Sequence, residues 1–231
     1  MALVGAGIAG SEAAIAAARA GLDVLLVTTS LDTVYMLAHS HHRLLAPAGS
    51  LMARLLEQAG DNEAERWSLH RRAKYALEAQ TGIHLLQSNV TGLIVQGERV
   101  EGVLTWEGVE RSARAVALCV GSFLQARLVQ GQLREAAGRL GEMAYDELHD
   151  DLRARGVVFE PLTLELSGQD EGPPYEVSCR TIARSHLDGF RIARIERLYA
   201  AGVCAAGAQS YEESAQQGLA LARALVHDLA A

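Results

Sequence analysis

The spacing of apolar residues along the chain predicts an alternation of strands and helices. A short apolar run at 2–4 precedes a glycine-rich turn, and an alanine-rich stretch from Ile8 to Ala20 follows that turn. This stretch is typical of a helix and ends at Gly21, where a glycine commonly terminates a helix. A second apolar run, Leu22 to Thr28, has the composition of a buried parallel strand. The N-terminal segment therefore predicts a β-α-β unit.

The rest of the pattern predicts further short strands and several helices. Helices are expected within 50–58, 63–80, 145–155 and 211–230. Strands are expected at 83–86, 90–95, 100–106, 109–115, 116–120 and 198–201, of which the second, third and fourth form a meander with glycine-containing turns. Ser210 and Glu213 have the S-x-x-E spacing of a capping box and mark the start of the last helix. We expect Trp67 and Trp106 to be core residues.

Composition and charge narrow the class of protein. The chain has 231 residues, 49% of them hydrophobic and 21% charged, which is typical of a globular protein. Its net charge of −7 does not favour binding to nucleic acid or to an anionic membrane. No uncharged apolar run reaches the length of a membrane span. Three cysteines without a CxxC pair exclude a four-cysteine zinc site and fit a reducing cytoplasm, which we expect as the location. We expect no metal site, and among the cysteines we expect Cys179, in a loop, to be the reactive thiol.

The glycine-rich turn is the clearest functional motif. Gly5, Gly7 and Gly10 form a G-x-G-x-x-G pattern after a strand and at the start of a helix, the context typical of dinucleotide binding. The first glycine allows a tight turn, the second allows a pyrophosphate to approach the backbone, and the third allows close packing of helix on strand. The helix N-terminus then offers unpaired N–H groups to the phosphates.

The identity of the dinucleotide depends on the end of the second strand. An acidic residue usually binds the adenosine ribose there, but this chain has Thr28, Thr29 and Ser30. No arginine follows to bind a 2′-phosphate, which disfavours NADP and leaves NAD and FAD open. The order of elements favours FAD, because a meander and a final strand–glycine–helix unit replace the further β-α repeats of a nicotinamide domain.

These elements predict an α/β fold: a Rossmann-like FAD/NAD(P)-binding domain with a parallel central sheet, a small β-meander and a short inserted subdomain. We expect 1–121 and 198–231 to form the FAD-binding domain and 122–197 to form an inserted segment on the substrate side. Only four residues precede Gly5, which is shorter than an average strand. We therefore expect further residues upstream of Met1.

Three segments resemble the GidA/MnmG family, whose members use FAD to install a carboxymethylaminomethyl group on the wobble uridine of tRNA. They are GAGIAGSEAAIAAARAGLDVLLVTTSLDT at 5–33, ALCVGSFLQARLVQG at 117–131 and SYEESAQQGLALARAL at 210–225. With 72–103, the matches cover 92 of the 231 residues. The chain resembles the small GidA-related form rather than the full enzyme, which has a longer insertion and a helical C-terminal domain.

The resemblance implies a set of FAD-binding positions. The pyrophosphate would lie on the glycine turn, the ribose near the threonines, the adenine against the backbone of the first meander strand, and the flavin along the last two segments. These positions are Gly5, Ala6, Gly7, Ile8, Ala9, Gly10, Thr28, Thr29, Val90, Gly121, Ser122, Phe123, Gly202, Val203, Cys204 and Tyr211. Val203 stands where many flavoproteins have an aspartate, so the ribityl chain would depend more on backbone contacts. No catalytic residue is assigned.

One segment departs from the family. After the match at Asp32 and Thr33, the family has a cysteine-containing Cys-Asn-Pro segment near the flavin, whereas this chain has YMLAHSHHRLL at 35–45. The imidazoles of His39, His41 and His42 are interpreted as part of a polar loop in preference to metal ligands, since no further ligand pattern accompanies them. A third interpretation makes them proton donors near the flavin.

Three functional hypotheses follow. The first is a redox-active, FAD-binding GidA-related flavoprotein linked to tRNA wobble-uridine modification. The second is a FAD-binding accessory or electron-transfer module that works with a partner protein supplying catalysis or electrons, and the third, which the missing ribose acid disfavours, is an NAD-dependent dehydrogenase. Homo-oligomerisation is left open, tRNA binding is not supported by the net charge, and no membrane association is expected.

Overall fold

The computed structural model describes residues 1–38, 40, 44–59, 65–139, 141–166 and 172–230. Its helices are α1 (Ile8–Arg19), α2 (Leu51–Ala59), α3 (Arg66–Glu78), α4 (Asp146–Ala154), α5 (Val203–Ala206) and α6 (Tyr211–Ala230). Its strands are β1 (Ala2–Val4), β2 (Val24–Thr28), β3 (Ile83–Gln87), β4 (Val90–Gln96), β5 (Arg99–Thr105), β6 (Glu110–Ser112), β7 (Val116–Leu118), β8 (Arg127–Gln130), β9 (Leu133–Glu135), β10 (Ala137–Arg139), β11 (Glu142–Met143), β12 (Phe159–Leu166), β13 (Tyr175–Ile182), β14 (Leu187–Asp188), β15 (Arg191–Ile192) and β16 (Leu198–Ala200).

A central sheet organises the molecule. In the described part of the chain it has seven strands in the order β14-β15-β16-β7-β1-β2-β3, and β16, β7, β1, β2 and β3 run parallel. The chain moves from β1 to one side through α1 and later returns to the other side at β7, so the strand order reverses beside β1. Ligands of open α/β sheets bind in the crevice at the carboxyl ends of the strands where such a reversal occurs. The crevice beside β1 is therefore the expected place for a site.

The two faces of the sheet are covered by different layers. Leu3 and Leu26 point into one core with helices α1, α2, α3 and α6, whereas Val4 and Val27 point into a second core with the meander and α4. The alternation follows from the two-residue period of a strand, and the apolar runs predicted from the sequence reflect burial on both faces. The predicted α/β Rossmann-like fold with its parallel sheet is confirmed.

The antiparallel parts of the fold were predicted unequally. The meander is present as β4-β5-β6, close to the predicted bounds. The inserted segment contains a sheet in the order β12-β13-β8-β9 that was not predicted from the sequence, although β12 and β13 alternate apolar and polar residues.

The remaining elements connect these sheets. Strands β14 and β15 extend the central sheet. Helix α4 is attached to the meander through Asp151, whose Oδ2 accepts a hydrogen bond from the Leu93 N–H at 2.9 Å. The division at 122 and 197 stays a prediction.

Three side-chain predictions are wrong. Trp67 and Trp106 are 45% and 63% exposed instead of buried. Both lie at the edge of an element, at the start of α3 and just after β5, where the core is no longer beside them. Cys179 lies inside β13 rather than in a loop, and burial raises the pKa of its thiol to about 11, which disfavours the reactive thiolate.

None of the helices in the described ranges combines the length and apolar character needed to cross a bilayer.

Candidate dinucleotide site

A cavity of about 630 Å³ opens at the carboxyl ends of β1, β2, β7 and β16. This volume lies within the range of roughly 300–1,000 Å³ that is usual for cofactor sites. Most of the positions proposed from the sequence line it: Ala6, Gly7, Ile8, Ala9, Thr28, Thr29, Gly121, Ser122, Phe123, Gly202, Val203 and Tyr211. The structure thus brings together four segments that are far apart in the sequence.

The turn after β1 shows why each glycine is needed. Gly5 has a φ of +102°, and a Cβ there would lie 2.3 Å from the carbonyl oxygen of Cys119. A Cβ at Gly10 would lie 1.9 Å from the carbonyl oxygen of Gly5, so α1 can approach the strand only without a side chain. A Cβ at Gly7 would meet no atom within 4 Å and would project into open space. Gly7 therefore leaves room for a ligand, whereas Gly5 and Gly10 shape the turn beneath it.

The end of β2 forms a second wall with hydroxyl groups. The Thr28 hydroxyl donates to the carbonyl of Ser30 at 3.2 Å, and Thr33 donates to Glu142 Oε2 at 2.9 Å. Thr29 and Tyr145 also line the cavity here, and burial raises the pKa of the Tyr145 hydroxyl. This wall is therefore polar, although β2 itself contributes no acidic residue to it.

The turn after β7 supplies an aromatic wall. Gly121 has a φ of +56°, and the ring of Phe123 lies so close to Gly138 that a Cβ at that glycine would be 2.4 Å from the ring. The Ser122 hydroxyl donates to the Gly138 carbonyl at 3.2 Å. The turn is thereby held against β10 of the inserted segment, and Phe123 has one fixed position on the cavity wall.

The last wall comes from α5 and the start of α6. The predicted capping box is confirmed: the Ser210 N–H donates to Glu213 Oε2 at 2.7 Å, and the Glu213 N–H donates to Ser210 Oγ at 3.1 Å. The Tyr211 hydroxyl accepts from the Ala38 N–H at 2.8 Å. Among the described residues, neither Nε2 nor Oε1 of the buried Gln209 amide has a hydrogen-bond partner, although the side chain lines the cavity. A buried amide without partners fits a site that receives a polar ligand.

Four proposed positions do not line the cavity. Gly5 and Gly10 lie beneath its floor, Cys204 is fully buried with its thiol donating to the Leu118 carbonyl at 3.4 Å, and Val90 is buried at the start of the meander. Their ligand contacts stay predictions. His39, His41 and His42, proposed as a polar loop, metal ligands or proton donors, lie outside the described residues.

Sequence reasoning missed a carboxylate that organises this region. Glu12, in α1, is fully buried; its Oε2 accepts from the Leu51 N–H at 2.7 Å and its Oε1 from the Met52 N–H at 2.9 Å. The Tyr35 hydroxyl also donates to Oε1. Burial raises the pKa of this carboxyl group, and the three donors oppose that rise. A polar residue within the apolar face of α1 was the available signal.

Sequence reasoning also missed a glycine in the last helix. A Cβ at Gly218 would lie 2.4 Å from the carbonyl oxygen of Ala9, so α6 can pack against the first turn of α1 only without a side chain there. This close approach brings the start of α6 to the glycine turn. The signal in the sequence was a glycine inside a strong helical pattern, which usually has a packing reason.

The fold and the cavity together define the class: a Rossmann-like protein with a candidate dinucleotide site. The chain matches the family model described as Glucose inhibited division protein A over 1–61 and 57–164. It is 38% identical to the GidA-related protein from Thermus thermophilus, over 98% of this chain and 97% of that one, with a TM-score of 0.89. The chain therefore belongs to the GidA family.

Other solved structures share the fold at lower identity. Aquifex aeolicus GidA, in its form II crystal, matches with a TM-score of 0.87 at 16% identity, over 98% of this chain but 63% of that one. An oxidoreductase from Agrobacterium tumefaciens matches with a TM-score of 0.62 at 14% identity, over 99% of this chain and 97% of that one. Family membership and this fold identify the chain as a GidA-related flavoprotein, and FAD is its cofactor.

Proposed function

We propose that FAD occupies the cavity in an extended form and that the chain uses it in a redox reaction. The observation that supports this most directly is the convergence of the Gly7 turn, the end of β2, the Phe123 turn and the start of α6 on one space. A dinucleotide needs contacts along its whole length. The end of β2 would contact the adenosine ribose, the Gly7 turn the pyrophosphate, and the Phe123 turn and the start of α6 the flavin. Val90 at the adenine and Cys204 near the ribityl chain complete the proposed set.

The residues would act through binding and orientation. The N–H groups of the first turn of α1 would bind the pyrophosphate, because Gly7 leaves them accessible. The N-terminus of α6 carries about half a positive charge, which would stabilise negative charge on a nearby ring. Bound FAD supplies two-electron redox chemistry. The unpaired amide of Gln209 would be the polar contact on this side of the cofactor.

We further propose a link to tRNA modification, which rests on the family resemblance. The proposed division into a flavin domain at 1–121 and 198–231 and an insertion at 122–197 is supported by the separate sheet β12-β13-β8-β9, whose Leu164 and Leu166 reach the cavity. Three unpaired cysteines support a reducing cytoplasm as the location.

A second candidate is a FAD-binding module that serves a partner protein. The thiols favour it: Cys119, Cys179 and Cys204 are all buried, and burial raises the pKa of each. No cysteine of this chain is therefore prepared to act as a nucleophile. Catalytic groups would then come from another chain.

Absorption spectroscopy and heat release test the proposal. The purified chain should show flavin bands, and heating should release FAD rather than FMN. Reduction of the bound flavin by NADH or NADPH, with and without added tRNA, then separates the candidates. Reduction that tRNA accelerates supports the enzyme, whereas a flavin inert to both donors supports the module. A chain that stays colourless after incubation with FAD contradicts both.

A further inference from the structure

The acidic group missing from the end of β2 has a counterpart on the inserted segment. Glu142 belongs to β11, yet its side chain lies on the cavity wall, and only 11% of the side chain is exposed. Its Oε2 accepts a hydrogen bond of 2.9 Å from the Thr33 hydroxyl, which lies 109 positions earlier in the chain. The insertion therefore places a carboxylate beside the segment that follows β2.

The surroundings of Glu142 locate it at the adenosine end of the cavity. Tyr145, three residues later, lines the same cavity as Thr28 and Thr29 at the end of β2. The side-chain amide of Asn89, next to the start of the meander, donates to the sulfur of Met143 at 3.5 Å. In dinucleotide-binding domains the ribose lies at the end of the second strand. The family resemblance implies that the adenine lies beside the first meander strand.

The second oxygen of this carboxylate is available for a ligand. Within the described part of the chain, Glu142 Oε1 is buried and accepts no hydrogen bond. Nη1 of Arg139 lies 3.3 Å from it, and Nη2 of the same residue donates to the Met36 carbonyl at 3.2 Å. The guanidinium thus balances the charge of the carboxylate and leaves Oε1 with hydrogen-bonding capacity. Buried oxygens of this kind usually have a partner when the site is filled.

We propose that Glu142 binds the hydroxyl groups of the adenosine ribose of FAD, in place of the acidic residue that this chain lacks after β2. This inference rests on the proposed position of FAD. A ribose has two neighbouring hydroxyl groups that can donate, and an ionised carboxylate can accept a hydrogen bond from each of them. The carboxylate comes from the insertion instead of β2, so the ribose site forms only when the insertion is folded against the flavin domain.

Flavin-binding measurements on the full chain, stripped of flavin, test this assignment. The ligands are FAD and two analogues assembled with 2′-deoxyadenosine or 3′-deoxyadenosine, and binding is followed by the change in flavin fluorescence. The variants are Glu142→Gln, which keeps size, and Glu142→Ala, which removes the group. Glu165→Gln is the matched control, because it lies on the insertion in β12 but is exposed and outside the cavity. Circular dichroism compares the fold of the variants.

The unmodified chain should bind FAD about ten- to a hundredfold more tightly than at least one deoxy analogue, since hydrogen bonds to a charged group contribute roughly 1.5–3 kcal/mol. Both Glu142 variants should lose most of that preference, and Glu165→Gln should keep it. A preference unchanged in folded Glu142→Gln and Glu142→Ala would overturn the inference.

Two outcomes need no variant. Equal affinity of the unmodified chain for FAD and both deoxy analogues would also overturn the role of Glu142, while FAD binding itself stood. No binding of any of the three flavins would overturn the proposed position of FAD and the role of Glu142 together. The two proposals therefore fail in different ways.

Discussion

Adding one methyl group at Gly10 or at Gly7 should separate protein stability from cofactor binding. In Gly10→Ala the new Cβ would lie 1.9 Å from the backbone oxygen of Gly5, which cannot rotate away. Overpacking of this kind costs about 1–3 kcal/mol, and a backbone clash belongs at the upper end. The gain in helix propensity, about 1 kcal/mol, is smaller. The free energy of unfolding should therefore fall by about 2 kcal/mol or more.

In Gly7→Ala the added methyl group meets nothing within 4 Å, and the φ of −69° suits alanine. Alanine is a poorer N-cap than glycine, which costs about 1 kcal/mol or less. The methyl group would, however, occupy the space through which the pyrophosphate reaches the N–H groups of α1. Loss of one hydrogen bond to a charged phosphate should weaken FAD binding about tenfold or more.

Thermal melting of the flavin-stripped chain, with and without FAD, measures both effects. At roughly 2–4 °C per kcal/mol, Gly10→Ala should lower Tm by about 4 °C or more without FAD, whereas Gly7→Ala should lower it by no more than about 2–4 °C. Added FAD should raise the Tm of Gly7→Ala less than that of the unmodified chain, by the equivalent of about 1.4 kcal/mol for a tenfold weaker affinity. Equal losses of Tm without FAD in the two variants would refute this reading of the glycine turn.

Three further predictions concern a buried carboxylate, an ion pair and the cysteine thiols. Glu12→Ala should lower the free energy of unfolding by about 2 kcal/mol or more in urea titrations, because the buried N–H groups of Leu51 and Met52 lose their acceptor; a loss below about 0.5 kcal/mol contradicts it. Hydrogen bonds from Arg191 lower the pKa of Asp228 to about 2, so its contribution to stability is present above about pH 4 and is lost as the pH falls toward 2. Urea midpoints between pH 5 and pH 2.5 should therefore fall less in Asp228→Asn than in the unmodified chain, and parallel curves would argue against this. Titration with a thiol-reactive disulfide should find all three cysteines unreactive in the native chain at pH 8 and reactive in guanidinium, and rapid native labelling of Cys179 would contradict its burial.

Local patterns in the sequence were sufficient for the elements that depend on near neighbours. The strand–glycine–helix start, the meander and the capping box at Ser210 and Glu213 each have a short-range signal, and each is confirmed. The hairpin of β12 and β13 was missed although both strands alternate apolar and polar residues. That alternation is a usable signal, but the pairing with β8 spans a long stretch of chain and has no local marker.

The cavity was predictable where a residue type has one geometric use. Gly7 could be assigned from its place in the motif, and the structure shows the open space in front of it. Glu142 and Gly218 could not be assigned, because their roles arise from contacts with Thr33 and Ala9, which lie far away in the sequence. Trp67 was predicted to be buried only because its side chain is apolar, and it is exposed.

The close packing of α6 on α1 at Gly218 has a consequence for the order of folding. The contact joins Ala9 to a residue more than two hundred positions later, so the wall that α6 contributes cannot form while the ribosome is still making the preceding segments. Contacts of such long range require the costliest loop closure and form late. Until α6 has emerged, α1 therefore lacks the helix that packs against its first turn. Since residues of α6 line the cavity, the proposed FAD site is complete only after α6 has docked.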